Sequence, residues 1–360
     1  MASPAAPLVI PAESFIKTLA ESPNLTSIPS TYTYSTTPLV EPVVSGSEAS
    51  IPIIDFSLLT SGSPDRRSQA IHDLGKACQD WGFFMVTNHG IPEGMIKGMI
   101  EGLEDFFNLR EEEKKEFRGK HVLDPIRCGT SSFNTSAEQV FFWRDFLRVF
   151  VHPDFHFPNK PLGVRELSHE YCKRVREVYG ELIRGISTSL GLEESYIHNT
   201  LNMEDGLQIL VGNFYPPCPQ PELAMGLPPH SDLGFLTLLI ENQIGGLQIQ
   251  HNHKWVNVKA IPNSFLVNTS DQLEILSNGK YKSNVHRATV NNKATRVSIA
   301  MANGPSLEDI VGPAPELIDN ESNPPRYMPM KYKDYMELQQ SNRLDGKTCL
   351  DCVKIQRDQV

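Results

Sequence analysis

The stretch that decides the fold is "GLPPHSDLGFLTLLI", residues 226–240, where His230 and Asp232 lie two positions apart. Two prolines precede the histidine and an apolar run follows the aspartate, which predicts a buried strand. Side chains at i and i+2 of a strand point to the same face, so His230 and Asp232 can bind one metal ion together. Two ligands do not complete a metal site, and the rest of the chain has to supply a third.

His286 is the predicted third ligand. The segments "YKSNVHRATV" and "TRVSIAMA" read as strands, and the residues between them predict a hairpin turn about Asn292. In such a hairpin His286 lies opposite Ser298, and Arg296 shares the same face two positions earlier. The pattern therefore predicts one ladder that presents His286, Arg296 and Ser298 to one cavity.

Two histidines and a carboxylate on one face of an ion form a facial triad, which leaves three coordination positions open for small ligands. An acidic cosubstrate can fill two of these positions while its distal carboxylate binds a planar, permanently charged partner. Arg296 with Ser298 fits that requirement. For an isolated R-x-S a surface role is the better interpretation, but this one follows a candidate ligand by ten residues.

Other histidines give weaker candidates. His152 and Asp154 also form a His-x-Asp, but "HPDFHFPNKP" reads as a loop. His89 is interpreted as a turn residue, and His251 and His253 lie in a predicted hairpin tip.

Composition excludes several function classes. The chain has 360 residues and a formal net charge of -10, and it has no long Lys/Arg block, which argues against nucleic acid or an anionic membrane as a partner. No apolar segment approaches the ~18 residues of a membrane span, and the amino end lacks the basic start of a secretory signal. The six scattered cysteines fit a reducing compartment, so a cytoplasmic protein is expected. Cys349 and Cys352 form a C-x-x-C whose role stays open.

The order of predicted elements indicates an α+β fold. Residues 1–50 form a Pro-, Ser- and Thr-rich lead-in, and residues 51–205 form a mainly helical region with helices at 65–81, 92–108 and 165–191. A strand is expected over 51–59 and another within "GFFMVTNHG". Residues 206–310 contain short strands separated by turns, as in a sandwich or barrel. Residues 311–360 hold a last helix near 331–344 and a tail.

These pieces resemble a known family. "GFFMVTNHGIP", "NFYPPCPQPELAMGLPPHSD", "GGLQI", "SNGKYKSNVHRATVN" and "TRVSIA" look like the plant soluble 2-oxoglutarate and Fe(II) dependent dioxygenases, which include flavonol synthase, flavanone hydroxylase and alkaloid demethylases. The likeness runs from about residue 50 to 345. It implies a double-stranded β-helix, or jelly roll, beneath an α-helical amino-terminal half.

The resemblance also implies roles for single residues. His230, Asp232 and His286 would bind Fe(II), and Arg296 and Ser298 would bind the distal carboxylate of 2-oxoglutarate. Asn213 and Tyr215 match the Asn-x-Tyr of the family, in which the tyrosine reaches the cosubstrate. O2 would be the second cosubstrate, with ascorbate in a supporting role, and 2-oxoglutarate would be converted to succinate and CO2.

The substrate pocket is the least specified part. In this family the region around "SSFNTSAEQVFFWRDFL" lines or covers the pocket, so Phe133 and Phe146 are candidates, as is Phe235, while a core role is at least as good for Phe142 and Trp143. Relatives often have a bulky residue six after the arginine; here Ala302 stands there, followed by Asn303 and Gly304, which would widen the pocket. The expected substrate is a small, aromatic or alicyclic metabolite or hormone, and hydroxylation, desaturation and demethylation all stay open.

Three rival readings are kept. An aminocyclopropane-carboxylate-oxidase type of enzyme would use ascorbate in place of 2-oxoglutarate. A zinc hydrolase could activate water on the same triad but would not need Arg296 and Ser298. A jelly-roll binding protein would not need the ligands. Nothing in the chain demands more than a monomer.

Overall fold

The computed structural model describes residues 15–23, 25–34, 43–44, 51–134, 139–341 and 348–356. Its helices are α1 (Ile16–Ala20), α2 (Phe56–Ser61), α3 (Pro64–Asp80), α4 (Glu93–Asn108), α5 (Glu111–Lys114), α6 (Val164–Ser189), α7 (Tyr196–Thr200), α8 (Asp271–Leu276), α9 (Tyr332–Ser341) and α10 (Thr348–Cys352). Its strands are β1 (Val43–Val44), β2 (Ile53–Asp55), β3 (Phe83–Thr87), β4 (Ile126–Asn134), β5 (Gln139–His152), β6 (Gln208–Tyr215), β7 (Leu227–His230), β8 (Leu236–Glu241), β9 (Leu247–His251), β10 (Lys254–Asn257), β11 (Phe265–Thr269), β12 (His286–Ala288), β13 (Arg296–Asn303), β14 (Ile310–Val311) and β15 (Met330–Lys331).

Two sheets face each other and form a jelly roll. The larger sheet has the strand order β2-β3-β11-β8-β13-β6-β5-β4, and the smaller one has the order β1-β10-β9-β12-β7. Apolar side chains close one end of the space between them, where Met85 and Leu266 of the larger sheet join a buried cluster with Leu247 and Ile249 of the smaller. The predicted α+β class with a jelly-roll core is confirmed.

Helices α3, α4 and α6 form a layer on the outer face of the larger sheet. The buried positions of α6 include Tyr171, Val175, Val178 and Leu182, which recur at three and four residues and form one apolar stripe. Contact with the sheet is close, since a Cβ at Gly212 of β6 would lie 2.4 Å from Leu103 of α4. Within the described residues, no helix combines the length and the hydropathy needed to cross a bilayer.

The predicted strand over 51–59 is shorter than expected. It ends at Asp55, whose side chain accepts a hydrogen bond from the Ser57 backbone N–H at 3.0 Å and caps α2. The helices predicted at 65–81, 92–108 and 165–191 agree with α3, α4 and α6 to within a few residues. The helix predicted near 331–344 agrees with α9 up to Ser341, and residues 342–344 lie outside the described part of the chain.

The region 51–205 also contains a long hairpin that the sequence analysis missed. Strands β4 and β5 pair with each other, and β5 pairs with β6, so the hairpin extends the larger sheet beyond the jelly roll. Most of β5 is buried or half-buried on both faces, and its sequence therefore lacks the polar and apolar alternation that marks a half-exposed strand.

The predicted hairpin between His286 and Ser298 is wrong. His286 in β12 pairs with His230 and Ile249 in the smaller sheet, whereas Ser298 in β13 pairs with Asn213 and Glu241 in the larger one. The turn at Asn291 carries the chain from one sheet to the other. The two side chains therefore reach one cavity from opposite sides, because the cavity lies between the sheets.

Candidate active site

Strands β7 and β12 of the smaller sheet position the metal-ligand set. His230 is the last residue of β7, Asp232 follows in the next loop, and His286 opens β12 directly opposite His230. One ligand atom from each of the three residues lies within 4.8 Å of the others. The Nε2 atoms of His230 and His286 are each 3.7 Å from Asp232 Oδ1. The structure thus brings together the three residues that the sequence predicted.

Hydrogen bonds orient these ligands. The Nδ1 atoms of His230 and His286 face the carbonyl oxygens of Pro228 at 2.8 Å and of Asn284 at 3.4 Å. A hydrogen donated from Nδ1 leaves the Nε2 lone pair directed at the shared carboxylate, as in metal-binding histidines. Asp232 Oδ2 accepts from Asn268 Nδ2 at 2.8 Å, which leaves Oδ1 for a metal.

The protonation states suit a divalent cation. Burial and the neighbouring His286 lower the pKa of His230 to about 3, so its imidazole is neutral at neutral pH. Burial opposes ionisation of Asp232, but the two imidazoles and the Asn268 hydrogen bond outweigh it and lower its pKa. Two neutral nitrogens and one carboxylate oxygen are the donor set of the facial triad of Fe(II) oxygenases, so these residues fit ferrous iron.

A polar row crosses the larger sheet on the opposite side of the cavity. Asn213, Ser298 and Glu241 are register partners across β6, β13 and β8, and Arg296 is the partner of Tyr215. Asn213 Nδ2 donates to Ser298 Oγ at 3.1 Å, and Arg296 Nη1 lies 3.4 Å from the same oxygen. The Arg296 guanidinium lies 5.1 Å from the centre of the Tyr215 ring. All four predicted cosubstrate residues therefore lie together and line the cavity.

Glu241 is a site residue that the sequence analysis missed. Its Oε2 accepts from Arg296 Nη2 at 2.6 Å and from Nε at 3.1 Å, and both side chains are at most 3% exposed. The sequence offered little to identify it. Glu241 is the last residue of an otherwise apolar strand, and its position beside Ser298 and Arg296 depends on a strand register that the sequence does not reveal.

The cavity between the sheets measures about 740 Å³. Of the predicted pocket residues, Phe146 and Ala302 line it, as does Phe142. Trp143 is fully buried elsewhere and donates from Nε1 to the Pro216 carbonyl at 3.1 Å. The side chain of Phe133 lies outside the described part of the chain.

Phe235 and Gly304 do not line this cavity. Phe235 is fully buried in the main hydrophobic core, where its backbone N–H donates to the Asn303 carbonyl at 2.7 Å. Gly304 packs against the ring of Tyr332, and a Cβ there would lie 2.6 Å from the tyrosine oxygen. Gly304 was expected to widen the pocket. The cavity is lined instead by Tyr332, which packs against this glycine.

The weaker histidine candidates lie elsewhere. His152 Nε2 bonds to the Glu204 carbonyl at 2.6 Å, His89 Nε2 to the Asn263 carbonyl at 3.1 Å, and His251 stacks on Trp81. A second cleft of about 900 Å³ opens beside α6, away from the triad. In the described ranges, His230, Asp232 and His286 are the one cluster with metal-ligand spacing. Cys349 is buried and Cys352 is exposed, and neither forms a disulfide bond.

Comparisons with known proteins agree with this geometry. The profile of the 2OG-Fe(II) oxygenase superfamily matches residues 206–305, and that of the non-haem dioxygenase in morphine synthesis N-terminal region matches residues 51–168. The chain is 45% identical over 306 residues to 2-oxoglutarate-dependent dioxygenase 19 of Oryza sativa subsp. japonica, which covers 85% of this chain and 90% of that protein. It is 35% identical over 343 residues to thebaine 6-O-demethylase of Papaver somniferum, covering 92% and 93% of the two chains.

A solved structure extends the comparison to the fold. The crystal structure of JOX2 in complex with 2OG, Fe and JA matches with a TM-score of 0.85 and 31% identity over 95% of this chain and 98% of that one. The two profile matches, the relatives and the His-Asp-His cluster agree. The chain therefore belongs to the 2-oxoglutarate and Fe(II)-dependent dioxygenases, and it is an oxidoreductase that uses ferrous iron, O2 and 2-oxoglutarate.

Proposed function

We propose that His230, Asp232 and His286 hold the ferrous ion of this dioxygenase. The observation that carries the proposal is the convergence of their ligand atoms within 4.8 Å, directly across the cavity from the polar row of the larger sheet. The neutral His230 imidazole and the ionised Asp232 carboxylate need no proton release when the ion binds at neutral pH. Their hydrogen bonds to Pro228, Asn284 and Asn268 keep the ligand atoms aimed at one point.

Arg296 and Ser298 bind the distal carboxylate of 2-oxoglutarate in this proposal. The guanidinium is buried and can donate two parallel hydrogen bonds to a carboxylate, and the Ser298 hydroxyl adds a third donor. Asn213 fixes Ser298 through its 3.1 Å hydrogen bond, and Tyr215 packs against Arg296. Glu241 already accepts two of the Arg296 N–H groups, so the cosubstrate shares this arginine with a buried acid.

One oxygen atom of O2 enters succinate in every outcome. In hydroxylation the other enters a substrate C–H bond, and in demethylation the hydroxylated methyl group then leaves as formaldehyde. In desaturation the substrate loses two hydrogens and the other oxygen leaves as water. Ferrous iron supplies the activation of O2 when bound, and 2-oxoglutarate provides two electrons as it loses CO2. The apolar lining, which includes Leu239, Leu266 and Ala300, keeps water from the reacting atoms. The protein side chains bind and orient 2-oxoglutarate and the substrate, so the position of the substrate C–H selects hydroxylation, desaturation or demethylation.

The substrate is a small metabolite or hormone with an aromatic or alicyclic body. The cavity volume of about 740 Å³ suits a molecule of that size. Phe83, Phe142 and Phe146 provide apolar and aromatic surface, and Ala302 leaves room above the ligand set. Similar proteins include flavanone 3-dioxygenase 2 of Oryza sativa subsp. japonica and a flavonoid 7-O-demethylase of Ocimum basilicum, whose names point to ring substrates.

The test is substrate-stimulated release of succinate. Purified protein is loaded with Fe(II) under ascorbate, supplied with 2-oxoglutarate and screened against a library of plant metabolites. Succinate that depends on added 2-oxoglutarate and rises with one metabolite supports the proposal. Product formation that needs ascorbate but no 2-oxoglutarate would instead support an enzyme of the aminocyclopropane-carboxylate-oxidase type.

We further propose that the enzyme acts as a cytoplasmic monomer with a catalytic core at 206–310. Every proposed ligand of iron and 2-oxoglutarate comes from this one segment of one chain. None of the six cysteines forms a disulfide bond, and five of them are buried, which suits a reducing compartment. Light scattering that gives the mass of one chain, and fractionation of the source cells, test these points.

A further inference from the structure

Three arginines line the cavity on the side formed by β4 and β5. This arginine cluster consists of Arg127 on β4 and Arg144 and Arg148 on β5. Arg144 and Arg148 are four residues apart in the strand and so share a face, with Phe146 between them. Arg127 is the direct register partner of Arg148. The sequence analysis did not single out any of these residues.

The hydrogen-bond partners of the cluster are neutral. Arg144 donates from Nε to Asn213 Oδ1 at 2.8 Å and from Nη1 to Ser131 Oγ at 3.1 Å. Arg148 donates from Nη2 to the carbonyl oxygens of Val122 and of Asp124, the latter at 2.8 Å. The buried Nε atoms of Arg127 and Arg148 have no acceptor among the described residues. The cluster therefore keeps unused donors beside the cavity.

The charge of the cluster is not balanced by the lining. Among the described lining residues the only carboxylate is Asp232, which is committed to the metal in the proposed function. Two carboxylates outside the lining attract the cluster, Asp124 acting on Arg127 and Arg148 and Asp145 on Arg144. Both are engaged elsewhere, since Asp124 accepts from the backbone N–H groups of Lys120 and His121 at 2.5 and 2.7 Å and Asp145 from those of Ile16 and Lys17 at 2.8 and 2.9 Å. By contrast, Arg296 in the same cavity has the carboxylate of Glu241.

This arrangement is costly without an anion. Like charges directly opposite each other on paired strands are destabilising, and a buried guanidinium stays charged because its pKa remains high. Burial and then the neighbouring Arg127 lower the pKa of Arg148 to about 10 against the opposing charge of Asp124, and this leaves Arg148 cationic at neutral pH. A planar carboxylate matches the fork of an arginine and would satisfy the unused N–H groups.

We infer that the primary substrate is a small organic acid whose carboxylate binds the arginine cluster while its apolar body lies over the ligand set. The inference deepens the proposed function and rests on it. Arg127 and Arg148 bind the acid, whereas Arg144 links this subsite to the cosubstrate row through Asn213. Apolar residues elsewhere in the lining, among them Leu233, Leu239 and Met336, suit the rest of such a molecule.

Equilibrium binding of matched acids and amides tests this inference. The iron-loaded, 2-oxoglutarate-bound protein is titrated calorimetrically under argon with aromatic and alicyclic monocarboxylates, from benzoate to 2-naphthoate, and with the primary amide of each. The best acid is expected to bind at least tenfold more tightly than its amide. If no acid in the panel binds more tightly than its amide, the inference is overturned. The aryl phosphates and sulfates of the same rings are included, and tighter binding of these would overturn the carboxylate assignment.

Substitutions then locate the carboxylate. Arg127→Gln and Arg148→Gln should each reduce the preference for the acid about tenfold or more and leave 2-oxoglutarate affinity within about twofold. Arg127→Lys, which keeps the charge, should retain part of the preference, and thermal melting shows that each variant is folded. Arg165→Gln is the matched control, because Arg165 is likewise half-buried, packs on an aromatic ring and donates to a carbonyl, but lies outside the cavity. A preference for the acid that survives both glutamine variants would refute the inference.

The outcome is separable from that of the proposed function. The calorimetric preference is read without O2 and without turnover. If the protein binds acids more tightly than amides but releases no succinate that depends on 2-oxoglutarate, the inferred anion subsite is supported and the proposed reaction is refuted. If succinate release is stimulated by neutral metabolites only, the proposed reaction is supported and the inferred anion subsite is refuted.

Discussion

Removing the Arg296 guanidinium should destabilise the protein chiefly because the buried Glu241 carboxylate loses its partner. In Arg296→Met the Glu241 carboxylate stays buried, at 3% exposure, and loses both hydrogen bonds from the arginine, at 2.6 and 3.1 Å. Breaking one side of a buried ion pair costs about 3–5 kcal/mol. At about 2 °C per kcal/mol for a chain of this size, the melting temperature should fall by roughly 6–10 °C.

The double variant Arg296→Met/Glu241→Met separates stability from function. Replacing both partners of a buried pair by apolar residues of similar volume is close to neutral, so the double variant should regain most of the loss, with a coupling free energy of about 2–4 kcal/mol. Urea denaturation of the wild type, both single variants and the double variant measures this cycle. Both variants that lack Arg296 should nevertheless lose 2-oxoglutarate binding. A double variant as unstable as Arg296→Met would show that Glu241 does not depend on this ion pair.

Three further predictions concern other parts of the molecule. Asp232→Ala should abolish stoichiometric iron binding, measured by metal analysis, whereas His253→Asn, at an exposed position with positive φ, should bind iron normally. Ala302→Phe should fill part of the cavity and weaken substrate binding at least tenfold while 2-oxoglutarate affinity changes little; equal weakening of both would contradict the assignment of Ala302 to the substrate side. Burial raises the pKa of Asp145 to about 6, above the ~3.9 of an unfolded chain, so this carboxyl contributes stability below about pH 4 that is lost as pH rises through 6. Asp145→Asn, which resembles the neutral acid, should therefore cost less free energy of unfolding at about pH 8 than at about pH 5; a cost that grows with pH would refute this direction.

The cluster of proposed metal ligands could be predicted from the sequence because much of its pattern is local. His230 and Asp232 are two residues apart, so both side chains can reach the same ion. Arg296 and Ser298 follow His286 by ten and twelve residues in the sequence. The hairpin that was expected to join His286 to Ser298 was wrong, since sheet membership depends on which distant strands pair. His286 and Ser298 nonetheless line one cavity, as the sequence predicted, because side chains from two facing sheets can meet between the sheets as well as along one pair of strands.

The residues that were missed depend on non-local pairing. Arg144, Phe146 and Arg148 alternate with buried residues, so "FFWRDFLRVF" shows no solvent-facing side and did not read as a strand. Phe235 was a pocket candidate from its distance to Asp232, but the chain turns after the aspartate and directs the ring into the core. The direction of a side chain beyond the end of a strand is set by that turn, which the sequence alone did not specify.

The hairpin of β4 and β5 has a consequence for how this enzyme can diversify. It precedes the segment 206–305 that matches the oxygenase profile, yet it supplies one side of the same cavity. If the inferred anion subsite holds, exchanges at Arg127 and Arg148 would alter substrate recognition and leave the proposed ligands of iron and 2-oxoglutarate in place, whereas Arg144 is hydrogen-bonded to Asn213 of that set. Exchanging residues 126–152 between two members of this fold is accordingly a direct way to test whether the hairpin sets substrate selectivity. The transplanted β5 would pair with β6 of the recipient, as it does in this chain.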